Sequence, residues 1–349
     1  MYRYFKKMKR LFPYSFSGAL ILLLAAVLLA SCGGAANDKK GSGPKGRSTS
    51  APYELLVVAN KEWLQTDNGQ PLRDIIQAEI PCLPQSETCF RTTIVNPSGF
   101  TKTFMFYANI IVADVNPKYR KPACEIARNV YCQPQIIVSL TAPDNASFAA
   151  LCRQWHDQIL DVFNTAELTR ERKVLDKTYS ALVLNQAKAQ FGCEIHAPQA
   201  INACKPGKDF FWASSDGLEE NYLNICLYSY PYTSDRTFTQ DYFLAKRDSF
   251  MRENIEGAED GQYMSTDRRF VQSRNIEVDG RFVQEVRGLW QMEHAAMGGP
   301  FISYAQVDTV NGRVLVAEGF VFAPGKDKRK FVRELEATLL TLRLPSRRK

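Results

Sequence analysis

The stretch Arg269–Phe322, RFVQSRNIEVDGRFVQEVRGLWQMEHAAMGGPFISYAQVDTVNGRVLVAEGFVF, contains four runs in which apolar and polar residues largely alternate. Alternation with a period of two is typical of half-buried strands. Asp279-Gly280 joins the first two runs and Asn311-Gly312 joins the last two. Such dipeptides are the strongest short-range signal of a tight hairpin. This stretch therefore predicts two β-hairpins in an antiparallel sheet.

Extended and helical patterns continue on the N-terminal side of these hairpins and after them. We expect further strands over Glu54–Ala59, Phe104–Val115, Pro134–Leu140, Phe210–Ser214 and Tyr222–Tyr230. We expect helices over Pro71–Ile80, Asp144–Phe163, Thr165–Gln190, Thr237 to about Ile255, and Asp327–Leu342. Asn164 with Glu167, and Thr237 with Gln240, have the spacing of helix-capping pairs. Together these elements predict an α+β fold of mostly antiparallel sheets with amphipathic helices packed on one face.

The order of elements leaves open whether the chain contains two related αβ halves. A strand, Ala142-Pro143-Asp144 and a helix in the first half resemble a strand, Ala323-Pro324, Asp327 and a helix in the second. Proline before a helix start is common, so the match is weak evidence for duplication.

The N-terminus has the layout of a bacterial lipoprotein signal peptide. Five basic residues among the first ten precede an apolar run, Ala19–Ala30, and then Leu29-Ala30-Ser31-Cys32. Twelve apolar residues span about 18 Å as a helix, less than the roughly 30 Å of a hydrocarbon core. We therefore expect cleavage before Cys32 and acyl chains on that cysteine, and not an uncleaved membrane anchor.

Composition divides the rest of the chain into a tether and a folded body. We expect a signal peptide over residues 1–31 and a lipidated, Gly/Ser/Lys-rich flexible tether over 32–51. An N-terminal α+β half would follow over 52–200 and a C-terminal α+β half, with the hairpins and the last helix, over 201–349. Gly33 is not the aspartate that favours retention in the inner membrane, so we expect an outer-membrane lipoprotein facing the periplasm.

The net charge of +7 does not indicate a nucleic-acid-binding protein. Five of the positive charges lie in the predicted signal peptide, which has no acidic residue, so the processed chain carries +2. Four more, on Arg343, Arg347, Arg348 and Lys349, lie at the C-terminus. The body is therefore nearly neutral and has no basic footprint for DNA or RNA.

Eight cysteines besides Cys32 suit an exported protein with disulfides. Three pairs are close in sequence and each flanks a loop-like stretch: Cys82 with Cys89, Cys124 with Cys132, and Cys193 with Cys204. We expect these pairs to form local disulfides. Cys152 lies on the apolar stripe of a predicted helix, where a free buried thiol is the alternative to pairing with Cys226. No Cys-x-x-Cys occurs, and we expect no metal site and no cofactor.

Several phrases of the second half resemble a known family. They are Arg247-Asp248, Gly261–Met264, Gly288-Leu289-Trp290, Met297-Gly298-Gly299-Pro300-Phe301, Gly319-Phe320-Val321 and Lys328-Arg329. The first half adds Leu83-Pro84-Gln85 with Glu87 and Phe90, then Asn109-Ile110-Ile111. Together with the lipoprotein signal at Leu29–Cys32, these phrases resemble the Bacteroidetes lipoproteins grouped as domain of unknown function 4837. The resemblance extends over nearly all of the chain after the tether. Ala108, where an arginine is expected, and the eight extra cysteines depart from the family pattern. The resemblance implies location and extent, but no activity.

One segment is a candidate ligand groove. Met297, Gly298 and Gly299 lie between two predicted strands, near Trp290. They could form a glycine-floored pocket with Trp290 as its wall, or simply a turn before an edge strand that starts at Pro300. Arg247 and Asp248 would either pair with the Gly288-Leu289-Trp290 region, as the family resemblance suggests, or face water.

Signatures of hydrolases are weak. The chain has three histidines, no Gly-x-Ser-x-Gly elbow and no recognised nucleophile motif. Adjacent acids such as Glu219-Glu220 and Glu259-Asp260 are typical of solvated loops. An envelope hydrolase that uses carboxylates, or His294 near Trp290, is the alternative to a binding protein.

Asp308-Thr309-Val310 matches the Asp-Thr/Ser-aliphatic pattern of O-glycosylation in the bacteria from which this family comes. Thr309 is the candidate acceptor, beside the predicted Asn311-Gly312 turn. We expect a lipoprotein that contacts the membrane through its N-terminal lipid and binds an envelope protein or glycan without catalysis.

Overall fold

The first half of the chain folds around a five-stranded mixed sheet. The computed structural model describes residues 46–215 and 222–346. The five strands are β1 (Glu54–Val58), β2 (Arg91–Val95), β3 (Asn109–Val115), β4 (Ala123–Arg128) and β5 (Ile136–Ala142). Their order is β2-β1-β3-β5-β4, in which only β4 is antiparallel to its neighbour.

Parallel pairing in this sheet follows from its apolar central strands. β1, β3 and β5 are nearly continuous runs of Val, Ile, Leu and Ala, and both of their faces are buried. Strands buried on both faces are typical of parallel sheets. The α+β class is confirmed, and antiparallel pairing prevails over the molecule because of the second sheet.

One face of the first sheet is covered by helices. They are α1 (Lys61–Leu64), α2 (Gln70–Ile76) and α3 (Asn145–Leu175). The predicted helix boundary near Asn164 is wrong, because α3 continues through it for 31 residues. The side chain of Asn164 instead accepts a hydrogen bond from Arg333 at 3.0 Å, and Glu167 accepts one from Asn109 at 2.5 Å. Tertiary partners therefore use both residues of the apparent capping pair.

The second half folds around a seven-stranded antiparallel sheet. Its strands are β6 (Ala203–Gly207), β7 (Phe210–Ser214), β8 (Tyr222–Pro231), β9 (Met264–Val278), β10 (Arg281–Met292), β11 (Gly298–Asp308) and β12 (Arg313–Phe322). Their order is β6-β7-β8-β12-β11-β10-β9. Both predicted hairpins are confirmed. Asp279 and Gly280 have φ of 49° and 76°, as a tight primed turn requires, and Gly312 has φ of 64°.

Helices cover both faces of the second sheet, so the prediction of helices on one face is wrong. The helices are α4 (Ala181–Phe191), α5 (Gln240–Asn254) and α6 (Arg329–Leu339). α4 and α6 pack on one face, and α5 packs on the other. The reason lies in β12, where Val314, Leu315, Val316 and Ala317 are consecutive and fully buried. A central strand that is apolar on both sides needs cover on both sides.

The two halves meet between Leu175 and Ala181, and not at the predicted boundary after residue 200. α4 belongs to the second half, because Val183, Ala187 and Phe191 lie in the core beneath the seven-stranded sheet. The halves also differ in topology, one mixed and one antiparallel, so the suggested relation between them finds no support in their sheets.

The predicted tether ends earlier than expected. The carbonyl of Gly46 accepts a hydrogen bond from the Gln133 N–H at 2.9 Å, and the Thr49 N–H donates to the Phe106 carbonyl at 3.0 Å. Residues 46–51 therefore lie against the body. Within the described ranges, no helix is both long and apolar enough to cross a bilayer.

Candidate binding cleft

Trp290 is a core residue, and the predicted groove does not form around it. The side chain is 3% exposed and its indole N–H donates to the Val321 carbonyl at 3.1 Å. Its ring meets Phe320 edge-on with 5.6 Å between centroids. A large aromatic placed in this way fills the core, so the segment is scaffold.

Gly298 and Gly299 do not form a turn, because both lie in the first residues of β11, opposite Gln291 and Trp290 of β10. A Cβ atom on Gly299 would lie 2.0 Å from the Val321 carbonyl oxygen. The glycine therefore allows close packing beside Trp290. Met297 is exposed in the preceding loop.

Arg247 does not face water, and its guanidinium stacks on Phe301, which lies opposite Gly288 in the β10–β11 ladder. The arginine is fully buried and donates to Glu318, also fully buried, at 2.7 Å. Burial alone would lower the pKa of Arg247, but the Glu318 carboxylate raises it above the ordinary value. Asp248 lies nearer the surface, 3.0 Å from Arg268. The pair is a buried structural ion pair and not a ligand site.

The histidines do not assemble a hydrolase site. His294 is exposed in the β10–β11 loop with φ of 63°, while the Trp290 ring is buried. His156 lies beside Asp157, and His196 stacks on Tyr179 with 4.3 Å between centroids. Glu219 and Glu220 lie outside the described residues. The alternative based on His294 near Trp290 therefore has no geometric basis.

The three predicted disulfides are absent, since all eight cysteines among the described residues are free thiols. The partners of two predicted pairs occupy different environments. In one pair, the Cys82 thiol lies 3.7 Å from the Arg287 carbonyl, and Cys89 is buried in the core of the first half. In the second pair, Cys124 packs against the core of the first half, and the Cys132 thiol lies 3.9 Å from the carbonyls of Met105 and Tyr107. Cys193 and Cys204 both pack in the core beneath the seven-stranded sheet but are not bonded to each other. Burial raises the pKa of Cys124, Cys152 and Cys193 to about 12, which makes these thiols poor nucleophiles.

Thr309 and Cys32 are the two predicted modification sites. Thr309 is exposed, next to a turn in which the buried Asp308 accepts hydrogen bonds from the backbone N–H groups of Val310 and Asn311. Its glycosylation stays a prediction. Cys32 and the signal peptide lie outside the described residues, and so do the last three residues of the basic C-terminal tail.

A cleft of about 950 Å³ between the two halves is the best candidate site. One wall is α3 from Asp157 to Arg172, and the other is the edge strand β9 from Gln272 to Val278. Arg172 and Asp279 close one end with an ion pair of 2.7 Å. This volume is at the upper end of the range for ligand sites in proteins.

The floor of the cleft is a chain of alternating charges. Glu285 accepts from Arg274 at 2.7 Å and from Arg287 at 2.9 Å. Glu336 accepts from Arg287 at 2.5 Å and from Arg333 at 2.9 Å. Apart from Arg274, which is largely exposed, these groups are almost completely buried. This series of ion pairs joins β9 and β10 to α6 through side chains of opposite charge.

Glu285 is a poor candidate for general acid catalysis. Burial alone would raise the pKa of Glu285, but Arg287 and Arg274 lower it to about 2. A general acid of a glycosidase needs a raised pKa instead. The floor is therefore suited to a fixed charged surface and not to proton transfer.

The sequence motifs of the two halves meet beside this cleft. The Glu87 carboxylate accepts from the backbone N–H groups of Lys328 and Arg329, at 2.6 and 2.9 Å, and so caps the start of α6. The Lys328 ammonium donates to Gln85 at 2.5 Å. The phrases around Gln85 and Lys328 thus form the joint between the halves.

A second cavity, of about 320 Å³, lies where residues 48–52 reach α3. Glu171 and Glu334 line it. Burial, opposed by the hydrogen bond from the Tyr53 hydroxyl at 3.1 Å and assisted by the charge of Glu334, raises the pKa of Glu171 to about 7. Among the described residues, no three His, Cys, Asp or Glu side chains form a group that could hold a metal ion.

The sequence interpretation missed the charged floor of the cleft. Glu285 and Arg287 lie in a strand that was predicted from alternation, and Arg333 and Glu336 flank the apolar face of the last helix. A signal was present, because β10 carries Gln284, Glu285 and Arg287 among residues that are all buried. Their partners, however, lie up to 49 residues away.

Comparison with known families divides the chain at the same place as the structure. Residues 180–341 match the family model "Domain of unknown function (DUF4837)", and residues 48–176 match "Domain of unknown function (DUF8532)". The first-half phrases around Gln85 and Asn109 therefore fall in a different family from those of the second half. No curated protein matches the chain.

Similarity to solved structures is low. A crystal structure from Bacteroides thetaiotaomicron VPI-5482 at 1.50 Å resolution shares 11% identity and a TM-score of 0.26. The match covers 44% of this chain and 45% of that one, so the chain spans less than half the length of that protein. A similarity at this level carries no conclusion about fold or function.

Proposed function

We propose a function from the geometry of the cleft. The family model that residues 180–341 match, DUF4837, describes a domain of unknown function and so suggests none. The protein is a non-catalytic binding component of the cell envelope, held at the membrane by acyl chains on Cys32. Its ligand enters the cleft between α3 and β9. The observation that carries the proposal is the cleft itself, whose floor is built from mutually paired charges.

The charge pairing supports binding more than catalysis. Every arginine of the cleft is bonded to a carboxylate of the cleft, and the pKa of Glu285 is low. Charges fixed by buried partners keep their geometry, and preorganisation of this kind favours ligand binding. On the floor of the cleft, the same pairing leaves Glu285 and Glu336 without the free carboxyl that a general acid or base needs.

Site-specific crosslinking in cells tests the binding role. A photoreactive residue at Thr169, which is exposed and lines the cleft, should give a discrete crosslinked species. The same residue at Glu62, exposed on α1 and outside the lining, is the matched control. Equal crosslinking at the two positions, or none at Thr169, would contradict a binding role for the cleft.

The lipid anchor has its own test. Cys32→Ala should abolish processing and leave an unacylated precursor, because the thioether and amide linkages need a cysteine at the new N-terminus. Metabolic labelling with an alkyne fatty acid, followed by mass spectrometry of the intact chain, measures both effects. If the variant is still processed and labelled, the interpretation of Leu29–Cys32 as a lipoprotein signal is wrong.

A further inference from the structure

We infer that the cleft binds an extended, lysine- or arginine-containing peptide, which adds to the sheet as a strand beside β9. This inference rests on the proposed function and specifies its ligand.

The first observation is the open edge of β9. β9 is the last strand of the seven-stranded sheet and pairs only with β10 among the described residues. From Ser273 to Val278 no other main chain of the described ranges bonds to it. Unpaired N–H and C=O groups on an edge strand are a template for a further strand.

The second observation is the shape of the cleft. The α3 wall from Asp157 to Arg172 is about 22 Å long at the helical rise, and the β9 wall from Gln272 to Val278 is about 20 Å long at the strand rise. Both walls end at the contact between Arg172 and Asp279. An edge strand that lines a cleft is where several domain families bind extended peptides by strand addition.

The third observation is the charge of the lining. Seven carboxylates and four guanidinium groups line the cleft, which gives a net charge of −3. The arginines pair with Asp279, Glu285 and Glu336. Glu79, Asp157, Asp161 and Glu277 are left without an arginine of the cleft. Asp157 and Asp161 are one helical turn apart on the α3 wall, a like-charge spacing that destabilises a helix slightly. Asp157 also contacts the His156 ring at 2.8 Å.

These observations together select the ligand. In an added strand every second side chain would point to the same face of the sheet, and those on the α3 side would face Asp157 and Asp161. Basic residues at alternate positions therefore match the wall. A glycan is less well served, since Tyr304 is the one aromatic residue in the lining and its side chain is 2% exposed.

Binding of defined peptides to the full-length protein in detergent tests the inference. The probe is a blocked, dye-labelled heptapeptide in which Lys alternates with Thr, measured by fluorescence anisotropy. A peptide with Glu in place of Lys should not bind. Two further peptides, each N-methylated at one of the two alternating sets of amides, test main-chain pairing, and at least one should lose binding tenfold or more.

Two protein variants complete the test. The double variant D157N/D161N removes the charges of the wall and should weaken binding of the Lys peptide at least fivefold, whereas E62Q should leave it unchanged. Asn275→Pro places a residue without an N–H on the exposed edge and should abolish binding. If this variant does not fold, the N-methylated peptides still report on the same contacts.

The inference is overturned if the Lys peptide does not bind, if the Glu peptide binds equally, or if neither N-methylated peptide loses affinity. Crosslinking at Thr169 then separates the two proposals. A discrete crosslink there without peptide binding would leave the cleft as a binding site for another ligand. If neither the crosslink at Thr169 nor peptide binding is observed, the proposed function is contradicted as well.

Discussion

At the scale of single residues, buried charge is the main feature of this protein. Arg247, Arg287 and Arg333 are almost fully buried, and each bonds to a carboxylate that is also buried. Removing one partner of such a pair leaves an uncompensated charge, which typically costs about 3–5 kcal/mol. Pairs of this kind fix the geometry around the cleft and resist substitution.

Glu171 should make stability depend on pH. Its pKa in the folded protein is about 7, above the ordinary value of 4.5, so the folded state binds a proton more tightly than the unfolded state. The resulting stabilisation is complete below about pH 4.5 and is lost as the pH rises through about 7. Glu171→Gln, which keeps an acceptor for the Tyr53 hydroxyl, should raise stability at pH 8 by up to about 3 kcal/mol and have little effect at pH 4.

Thermal unfolding of both proteins across this pH range checks the prediction, with Glu62→Gln as the surface control. An advantage of Glu171→Gln that is the same at pH 4 and pH 8 would show that the carboxyl does not titrate as stated.

At the scale of elements, contacts between neighbouring strands decide what the sequence motifs do. Gly299 lies opposite Trp290 in the β10–β11 ladder, and β12 supplies the carbonyl that the Trp290 indole needs. The Met-Gly-Gly-Pro phrase thus serves the packing of three strands. The sequence alone also allowed this phrase to be a pocket, because glycine occurs equally in turns, in pockets and in closely packed strands.

Gly299→Ala should destabilise the protein by about 2 kcal/mol or more, because the added Cβ would overlap the Val321 carbonyl and force β11 and β12 apart. Gly99→Ala is the matched control, since a Cβ there meets no atom within 4 Å. Chemical denaturation of the two variants measures the difference. Equal stability would mean that the strands can separate at no cost.

At the scale of the whole molecule, the two halves are joined through α6. Glu87, from the first half, supplies two hydrogen bonds to the start of this helix, and Arg333 reaches from α6 to Asn164 on α3. A negative charge at a helix N-terminus is also favoured by the helix dipole. Arg333 and Asn164 also line the cleft, so this contact between the halves is part of its wall.

Glu87→Ala should therefore destabilise the joint by about 1–2 kcal/mol, as loss of a helix cap does. Amide hydrogen exchange should speed up at the start of α6 and around Gln85. Asp144→Ala, which removes the cap that Ser147 uses within the first half, is the control. It should speed exchange at the start of α3 alone. Unchanged exchange in α6 after Glu87→Ala would contradict the capping role.

The cysteine pattern also has a consequence for the whole molecule. Labelling of the unfolded, unreduced protein should find eight free thiols besides Cys32, because all eight are unpaired in the described part of the structure. Mass spectrometry after alkylation counts them directly. Recovery of a peptide linked through Cys193 and Cys204 would mean that the fold of this region differs from the one described.

The sequence by itself determined the features that depend on near neighbours. The Asp279-Gly280 and Asn311-Gly312 turns, the alternating strands around them and the apolar face of the last helix follow from backbone preference and periodicity, and the structure confirms them. The phrases of the second half also predicted the family model that matches residues 180–341, DUF4837.

Only the tertiary structure decided the features that depend on distant partners. Arg247 pairs with Glu318, and Arg287 on the floor of the cleft pairs with Glu336, although the partners are far apart in the chain. The helix α3 continues through Asn164, whose side chain bonds to the distant Arg333. Glu87 and Lys328 are 241 residues apart and still share a hydrogen bond. A buried charge or a cap is stable only where its partner lies, and packing, not local pattern, brings that partner into place.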